Sequence, residues 1–164
     1  MAAQRRALEP GHKRKFLVVV DETPECRKAV HFAARRAGHT GGGLVLLHVI
    51  PPAVFQQWKG VEDLMRAEAM EKAEGLLGSI ADLVRQWSAV EPQQVIREGE
   101  TAAEVTGLIE RDEDIAILVL GAGAGKDGPG PLVSSLAGKV SGTFPVPITI
   151  VPGNLDEEAI AAIA

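Results

Sequence analysis

The chain has 164 residues, of which 46% are hydrophobic and 24% are charged, and it carries a formal net charge of −5. This length suits one domain with a substantial core, while the negative charge and the 4% aromatic content argue against nucleic-acid binding. No apolar run approaches the roughly 18 residues of a membrane span, and a single cysteine excludes an internal disulfide. We therefore expect a cytoplasmic protein without membrane partners.

The chain begins with a basic segment, residues 1–13, that has almost no apolar periodicity. We predict that this segment is a flexible tail and that residues 14–153 form the domain. Residues 154–164 are predicted to be an appendage, in which a short helix could follow Asn154. Neither an internal repeat nor a linker divides residues 14–153, so a single domain is expected.

Four short apolar runs and a weaker fifth one recur along the chain. They are rich in β-branched residues or leucine and are apolar on both alternations, which is typical of strands buried on both faces of a parallel sheet. The predicted strands cover residues 15–20, 44–50, 94–98, 116–121 and 146–152, of which 94–98 is the weaker one.

The first predicted helix lies between the first two strands. Thr23 is its predicted N-cap, Pro24 occupies the first helical position, and Gly38 is predicted to end it. Cys26 falls on the apolar face and is interpreted as a core residue, whereas His31 is assigned to the outer face.

Three further helices are predicted from apolar periodicity, over residues 61–88, 101–112 and 131–142. Thr101 and Glu104 form a capping box at the start of the second of these. Strands that alternate with helices predict an α/β domain with a doubly wound, five-stranded parallel sheet in the order 3-2-1-4-5. Right-handed crossovers then place helices on both faces of this sheet.

In an open parallel sheet, ligands bind beyond the carboxyl ends of the strands, where the strand order reverses. Asp21 closes the first predicted strand, Val49 lies at the end of the second, and the glycine-rich stretch GAGAGKDGPG, residues 121–130, follows the fourth. We therefore expect a carboxylate and a glycine loop to meet at one rim of the sheet.

The glycine loop does not fit the two best-known phosphate-binding patterns. A Walker A loop needs four residues between its glycines and then Lys-Ser or Lys-Thr, but Lys126 is followed by Asp127. The dinucleotide pattern fails because Gly121, Gly123 and Gly125 alternate. Both interpretations are rejected.

The residue types of common enzyme sites are present without the spacing that catalysis requires. Ser134 and Ser135 lack a nucleophile elbow, and the four histidines have no metal-ligand spacing. No general base with an oriented partner is visible. We predict no catalytic residue and no metal site, and at most a slow ATPase activity.

The order of these elements over residues 13–152 resembles the universal stress protein family. The resemblance is carried by LVVVDETPECRKAVHFAARRAG, LVLLHVIPP and ILVLGAGAG…SSLAGKV…PVPITIVP, read together. It implies a regulatory module that binds an adenine nucleotide, ATP or AMP, with Mg²⁺ alongside ATP. Members that hold ATP share a signature of Gly, two residues, Gly, nine residues, Gly, and then Ser or Thr. The resemblance implies that the aspartate after the first strand and the valine ending the second hold the adenosine, and that the glycine loop and the hydroxyl residue hold the phosphates.

Matched to that signature, two of its three glycines are replaced in this chain. Gly121 fills the first glycine, Ala124 and Ser134 stand at the second and third, and Ser135 fills the hydroxyl position. Restoring both glycines would be expected to tighten nucleotide binding roughly tenfold. The residues that the resemblance assigns to the nucleotide are Val20, Asp21, Val49, Gly121, Gly123, Ala124, Gly125, Ser134 and Ser135.

The degenerate signature leaves two functions open. The chain is either a weak nucleotide binder or a nucleotide-free, dimeric interaction protein of the same fold. In both cases we expect a homodimer through the last predicted strand, residues 146–152, because an edge strand exposes unpaired N–H and C=O groups. The family resemblance points to the same edge, and the prolines around it limit how far the pairing extends.

Overall fold

The computed structural model describes residues 4–52 and 59–164. Within these ranges, five parallel strands form one sheet in the order β3-β2-β1-β4-β5, which confirms the predicted fold and strand order. The strands are β1 (Lys15–Val19), β2 (Gly43–Ile50), β3 (Gln93–Glu98), β4 (Ile115–Ala122) and β5 (Ile148–Pro152).

Helices cover both faces of the sheet and divide the core into two clusters. The helices are α1 (Pro24–Thr40), α2 (Lys59–Trp87), α3 (Thr101–Arg111) and α4 (Glu157–Ile163). On β1, Phe16 and Val18 pack in the cluster that contains α1 and α2, whereas Leu17 packs in the cluster that contains α3. Successive strand residues thus face opposite layers, which explains why the strand sequences are apolar at both alternations.

The start of α1 is confirmed, but its predicted end at Gly38 is wrong. Thr23 caps the helix by accepting a hydrogen bond from the N–H of Cys26. The helix continues to Thr40 and is closed by Gly41, which has a left-handed φ of 70°. Gly38 is inside the helix and close to another segment, since a Cβ there would lie 2.6 Å from the hydroxyl oxygen of Ser88.

The assignment of His31 to an outer face is also wrong. His31 is buried and stacks on Trp87 with ring centroids 4.3 Å apart. Its Nε2 accepts a hydrogen bond from Nε of Arg35. Burial is the main cause that lowers the pKa of this imidazole, and the neighbouring positive charge of Arg35 adds to it.

The capping box predicted at Thr101 is replaced by a different cap. Glu100 is the N-cap of α3, and its carboxylate accepts hydrogen bonds from the N–H groups of Ala102 and Ala103, at 3.1 and 2.8 Å. Thr101 is the first helical residue. A carboxylate that reaches two unpaired amides satisfies more of the helix start than a threonine hydroxyl would.

The helix predicted over 131–142 forms with wider turns than an α-helix. Val133–Lys139 is π-helical, and a short 3₁₀ turn, Ser141–Thr143, follows it. The N–H of Val140 reaches back five residues to the carbonyl of Ser135.

Both ends of the chain contact the sheet domain. The guanidinium of Arg5 donates to the carbonyls of Ile109, Asp112 and Ile115. At the other end, Asp156 caps α4 and Ile160 is fully buried. The division into tail, domain and appendage stays a prediction. Across the part of the chain that the structure describes, no helix is both long and apolar enough to cross a membrane.

Candidate functional site

A cavity of about 410 Å³ lies at the carboxyl ends of β1, β2 and β4. One side of it, the strand-end half, is formed by Val20, Asp21, His48 and Val49. A second set of lining residues, called the loop half, comprises Gly121, residues 129–133, Ser135 and two glutamates at helix starts, Glu25 and Glu100. The crevice is where the doubly wound topology predicts it, next to the strand at which the connection direction reverses.

Five of the nine residues predicted from the resemblance line this cavity: Val20, Asp21, Val49, Gly121 and Ser135. Gly123, Ala124, Gly125 and Ser134 are not among its lining residues.

The chain path explains why the middle of the glycine loop lies away from the cavity. The N–H of Gly123 donates to the carbonyl of Pro129, and the N–H of Gly128 donates to that of Gly125. These bonds close a turn beyond β4. Ser134 is inside the π-helical segment, and its N–H donates to the carbonyl of Gly130.

Asp21 holds the start of α1 and is exposed at the cavity. Its Oδ1 accepts hydrogen bonds from the N–H and the hydroxyl of Thr23, at 2.8 and 2.5 Å. Both bonds use Oδ1, so the carboxylate is oriented by the backbone that follows it. Asp21 therefore has the helix-positioning role that its place after a strand indicates, and it also carries a negative charge at the site.

His48 also lines the cavity, although it is not among the residues that the resemblance assigns to the nucleotide. Its Nδ1 lies 2.7 Å from the carbonyl oxygen of Val20. A carbonyl can only accept, so Nδ1 of His48 carries a proton and donates it in this hydrogen bond. The side chain thus links β2 to β1 and lines the cavity; its position beside Val49 at a strand end was the available signal.

Cys26 also lines the cavity, but its thiol is not reactive. It is buried, its Sγ accepts a hydrogen bond from the N–H of Asp21, and burial raises the pKa of the thiol to about 12. The thiol is therefore protonated at neutral pH and is not activated as a nucleophile. This agrees with its interpretation as a core residue.

Two residues of the loop half, Glu25 and Glu100, were missed by the sequence reasoning. Together with Asp21 they place three carboxylates around the cavity, while no lysine or arginine among the described residues lines it. Both glutamates belong to helix starts, where acidic residues are common for reasons of capping and helix dipole alone. That ordinary role is why the pattern did not indicate a site. No group of His, Cys, Asp or Glu among the described residues could hold a metal ion.

The glycines of the loop serve two different purposes. A Cβ on Gly121 would overlap the carbonyl oxygen of Glu25, so the first turn of α1 packs directly on this backbone. Gly128 and Gly130 have φ values of 80° and 107°, in the region that favours glycine. Gly121 is thus required for close packing of a helix, and the later glycines for the turn.

Residues 13–152 match the family model described as "Universal stress protein family". The match covers most of the chain and both halves of the cavity. The chain belongs to the universal stress protein family. No relative among the curated proteins matches the sequence significantly.

Three solved structures with the same fold align with this chain over nearly their whole length. UspA from Lactobacillus plantarum is 18% identical with a TM-score of 0.70, covering 84% of this chain and 97% of that one. A universal stress protein from Archaeoglobus fulgidus in complex with dAMP is 16% identical, with a TM-score of 0.60 and coverages of 84% and 96%. One from Arabidopsis thaliana with AMP bound is 17% identical, with a TM-score of 0.60 and coverages of 88% and 94%.

Proposed function

We propose that this protein is a regulatory module that binds an adenine nucleotide in the cavity at the carboxyl ends of the strands. The observation that carries the proposal is the cavity itself, which brings Asp21, Val49, Gly121 and Ser135 together from four separate parts of the chain. These are four of the nine residues that the family resemblance assigns to the nucleotide.

The strand-end half has the chemistry that a nucleoside needs. Val20 and Val49 are buried apolar residues that offer a surface for a flat base. The carboxylate of Asp21 can accept hydrogen bonds from ribose hydroxyls or an exocyclic amine, and His48 offers a second polar side chain beside it. Relatives of the same fold support this ligand class, since two of them carry dAMP and AMP.

The loop half supplies less for phosphates. The hydroxyl of Ser135 is available at the cavity, but the N–H groups of Gly123 and Ser134 are already bonded to carbonyls. AMP, and ATP accompanied by Mg²⁺, are the two ligands proposed for this cavity. We propose that the protein binds the nucleotide and does not turn it over.

Calorimetric titration of adenosine and AMP into the wild-type protein and into Asp21→Asn tests the proposal. Asparagine keeps Oδ1 for the two bonds from Thr23 but replaces the second acceptor by a donor. We expect about tenfold weaker adenosine binding. Asp127→Asn is the matched control, because Asp127 is exposed in the turn and does not line the cavity. If wild-type protein binds neither compound at millimolar concentration, the proposal is refuted.

A second candidate function, a dimeric interaction protein, is favoured by the surface near the edge strand β5. Ile150, on β5, is a hydrophobic residue with 41% exposure. β5 pairs with β4 on one side and ends the sheet on the other. We propose a homodimer through this edge, which is compatible with nucleotide binding and would persist without it.

Light scattering of wild-type protein, Ile150→Asp and Ile163→Asp at micromolar concentration tests the dimer. Ile163 is 59% exposed on α4, so its variant controls for an added charge elsewhere on the surface. We expect dimer mass for the wild type and for Ile163→Asp, and monomer mass for Ile150→Asp. Monomer mass for all three proteins would remove this candidate.

A further inference from the structure

We propose that Glu25 is a specificity-determining residue that makes the cavity discriminate against polyphosphates. The site then prefers adenosine or an adenine monophosphate and disfavours ADP and ATP. This inference rests on the proposed adenine-nucleotide function and names the charge class of its ligand.

The side chain of Glu25 lies in space that neighbouring glycines leave free because they have no side chains. Its backbone carbonyl lies directly against Gly121. A Cβ built on Gly123 would be 3.3 Å from Oε1 of Glu25, and a Cβ built on Gly153 would be 3.0 Å from its Cβ. Three glycines thus make room for one half-buried glutamate, which also lines the cavity. A carboxylate therefore lies against the loop that the resemblance assigns to phosphates.

The surroundings of Glu25 add to this negative charge. Asp21 and Glu100 line the same cavity, and no described lysine or arginine does so. Lys126, in the same loop, is exposed and outside the lining. Like charges in a concave, partly desolvated site repel more strongly than on an open surface. Each further phosphate on a ligand should therefore weaken binding.

Some of the backbone donors near the cavity are already used by side chains of the protein. A helix start commonly binds anions through its free N–H groups. At α3 the carboxylate of Glu100 takes the N–H groups of Ala102 and Ala103. At α1 the hydroxyl of Thr23 takes that of Cys26. At these two helix starts, oxygens of the protein thus occupy three amides that could otherwise bind an anion.

Titrations of adenosine, AMP, ADP and ATP without divalent cations test the inference. For wild-type protein we expect affinity to fall with ligand charge, with ATP about tenfold weaker than AMP. Glu25→Gln should raise the ATP affinity about fivefold relative to the adenosine affinity, because it removes charge at constant size. Glu110→Gln is the matched control, since Glu110 is exposed on α3 and does not line the cavity.

The salt dependence of wild-type binding gives a second readout that needs no variant. Salt screens charge interactions, so the ATP affinity should increase between low and high ionic strength if repulsion dominates. A cradle that attracts phosphates would show the opposite sign. The adenosine affinity should not change.

The outcomes separate the two proposals. ATP binding as tight as AMP, an ATP affinity that falls with salt, or the same ATP-to-AMP ratio in Glu25→Gln and Glu110→Gln would each overturn this inference and leave adenine binding in place. Absence of binding by all four compounds would refute the proposed function and this inference with it.

Discussion

The two halves of the cavity are built by different means. In the strand-end half, Asp21 and Val49 reach the site because β1 and β2 are parallel neighbours in register. In the loop half, Gly121 and Glu25 meet because α1 packs its first turn against the end of β4. Residues at the ends of parallel strands can therefore be assigned from the strand pattern. Residues of a loop can be assigned only when the element packed against the loop is known.

Gly121→Ala should break the loop half and has the largest expected effect. Its methyl group would overlap the carbonyl of Glu25, so α1 must shift away from β4. We expect a loss of about 3 kcal/mol in the free energy of unfolding, measured by denaturant titration.

Gly125→Ala is the control for this change. A Cβ there meets no described atom within 4 Å, so its free energy of unfolding should change by about 0.5 kcal/mol or less. Equal stability of the two variants would show that α1 does not pack on Gly121 as described.

Glu100→Ala should have an intermediate effect on the stability of the protein. It removes the carboxylate that caps α3 at the loop half, which should cost about 1 kcal/mol in the free energy of unfolding. Thr101→Ala should cost less, because Thr101 is the first helical residue and not the cap. A larger loss of unfolding free energy for Thr101→Ala would show that Thr101 is the cap, as the predicted capping box requires.

The smallest effect is expected for the double change Ala124→Gly, Ser134→Gly. The signature predicts tighter nucleotide binding, but neither residue lines the cavity and Ser134 is inside a helical segment. We therefore expect the AMP affinity measured by calorimetry to stay within about twofold of the wild type. A gain of about tenfold would show that the loop moves onto the ligand when it binds.

Much of the fold followed from local patterns. The five strands and their order were predicted, because apolar residues at both alternations indicate strands buried between two layers. The start of α1 was predicted as well, since Thr23 and Pro24 act within one turn. The end of α1 was not, because Gly38 lies beside Ser88, which follows another helix and is far away in the sequence.

For the candidate site, the sequence alone determined which residues stand at strand ends. Asp21 and Val49 were placed near strand ends in this way, and the family resemblance then assigned them to the nucleotide. The tertiary structure alone decided that Glu25 fills the space between Gly121, Gly123 and Gly153. It also decided that Glu100 and not Thr101 caps α3 beside the cavity. The physical reason is that packing and charge at the loop half depend on distances between residues far apart in the chain, which no local pattern encodes.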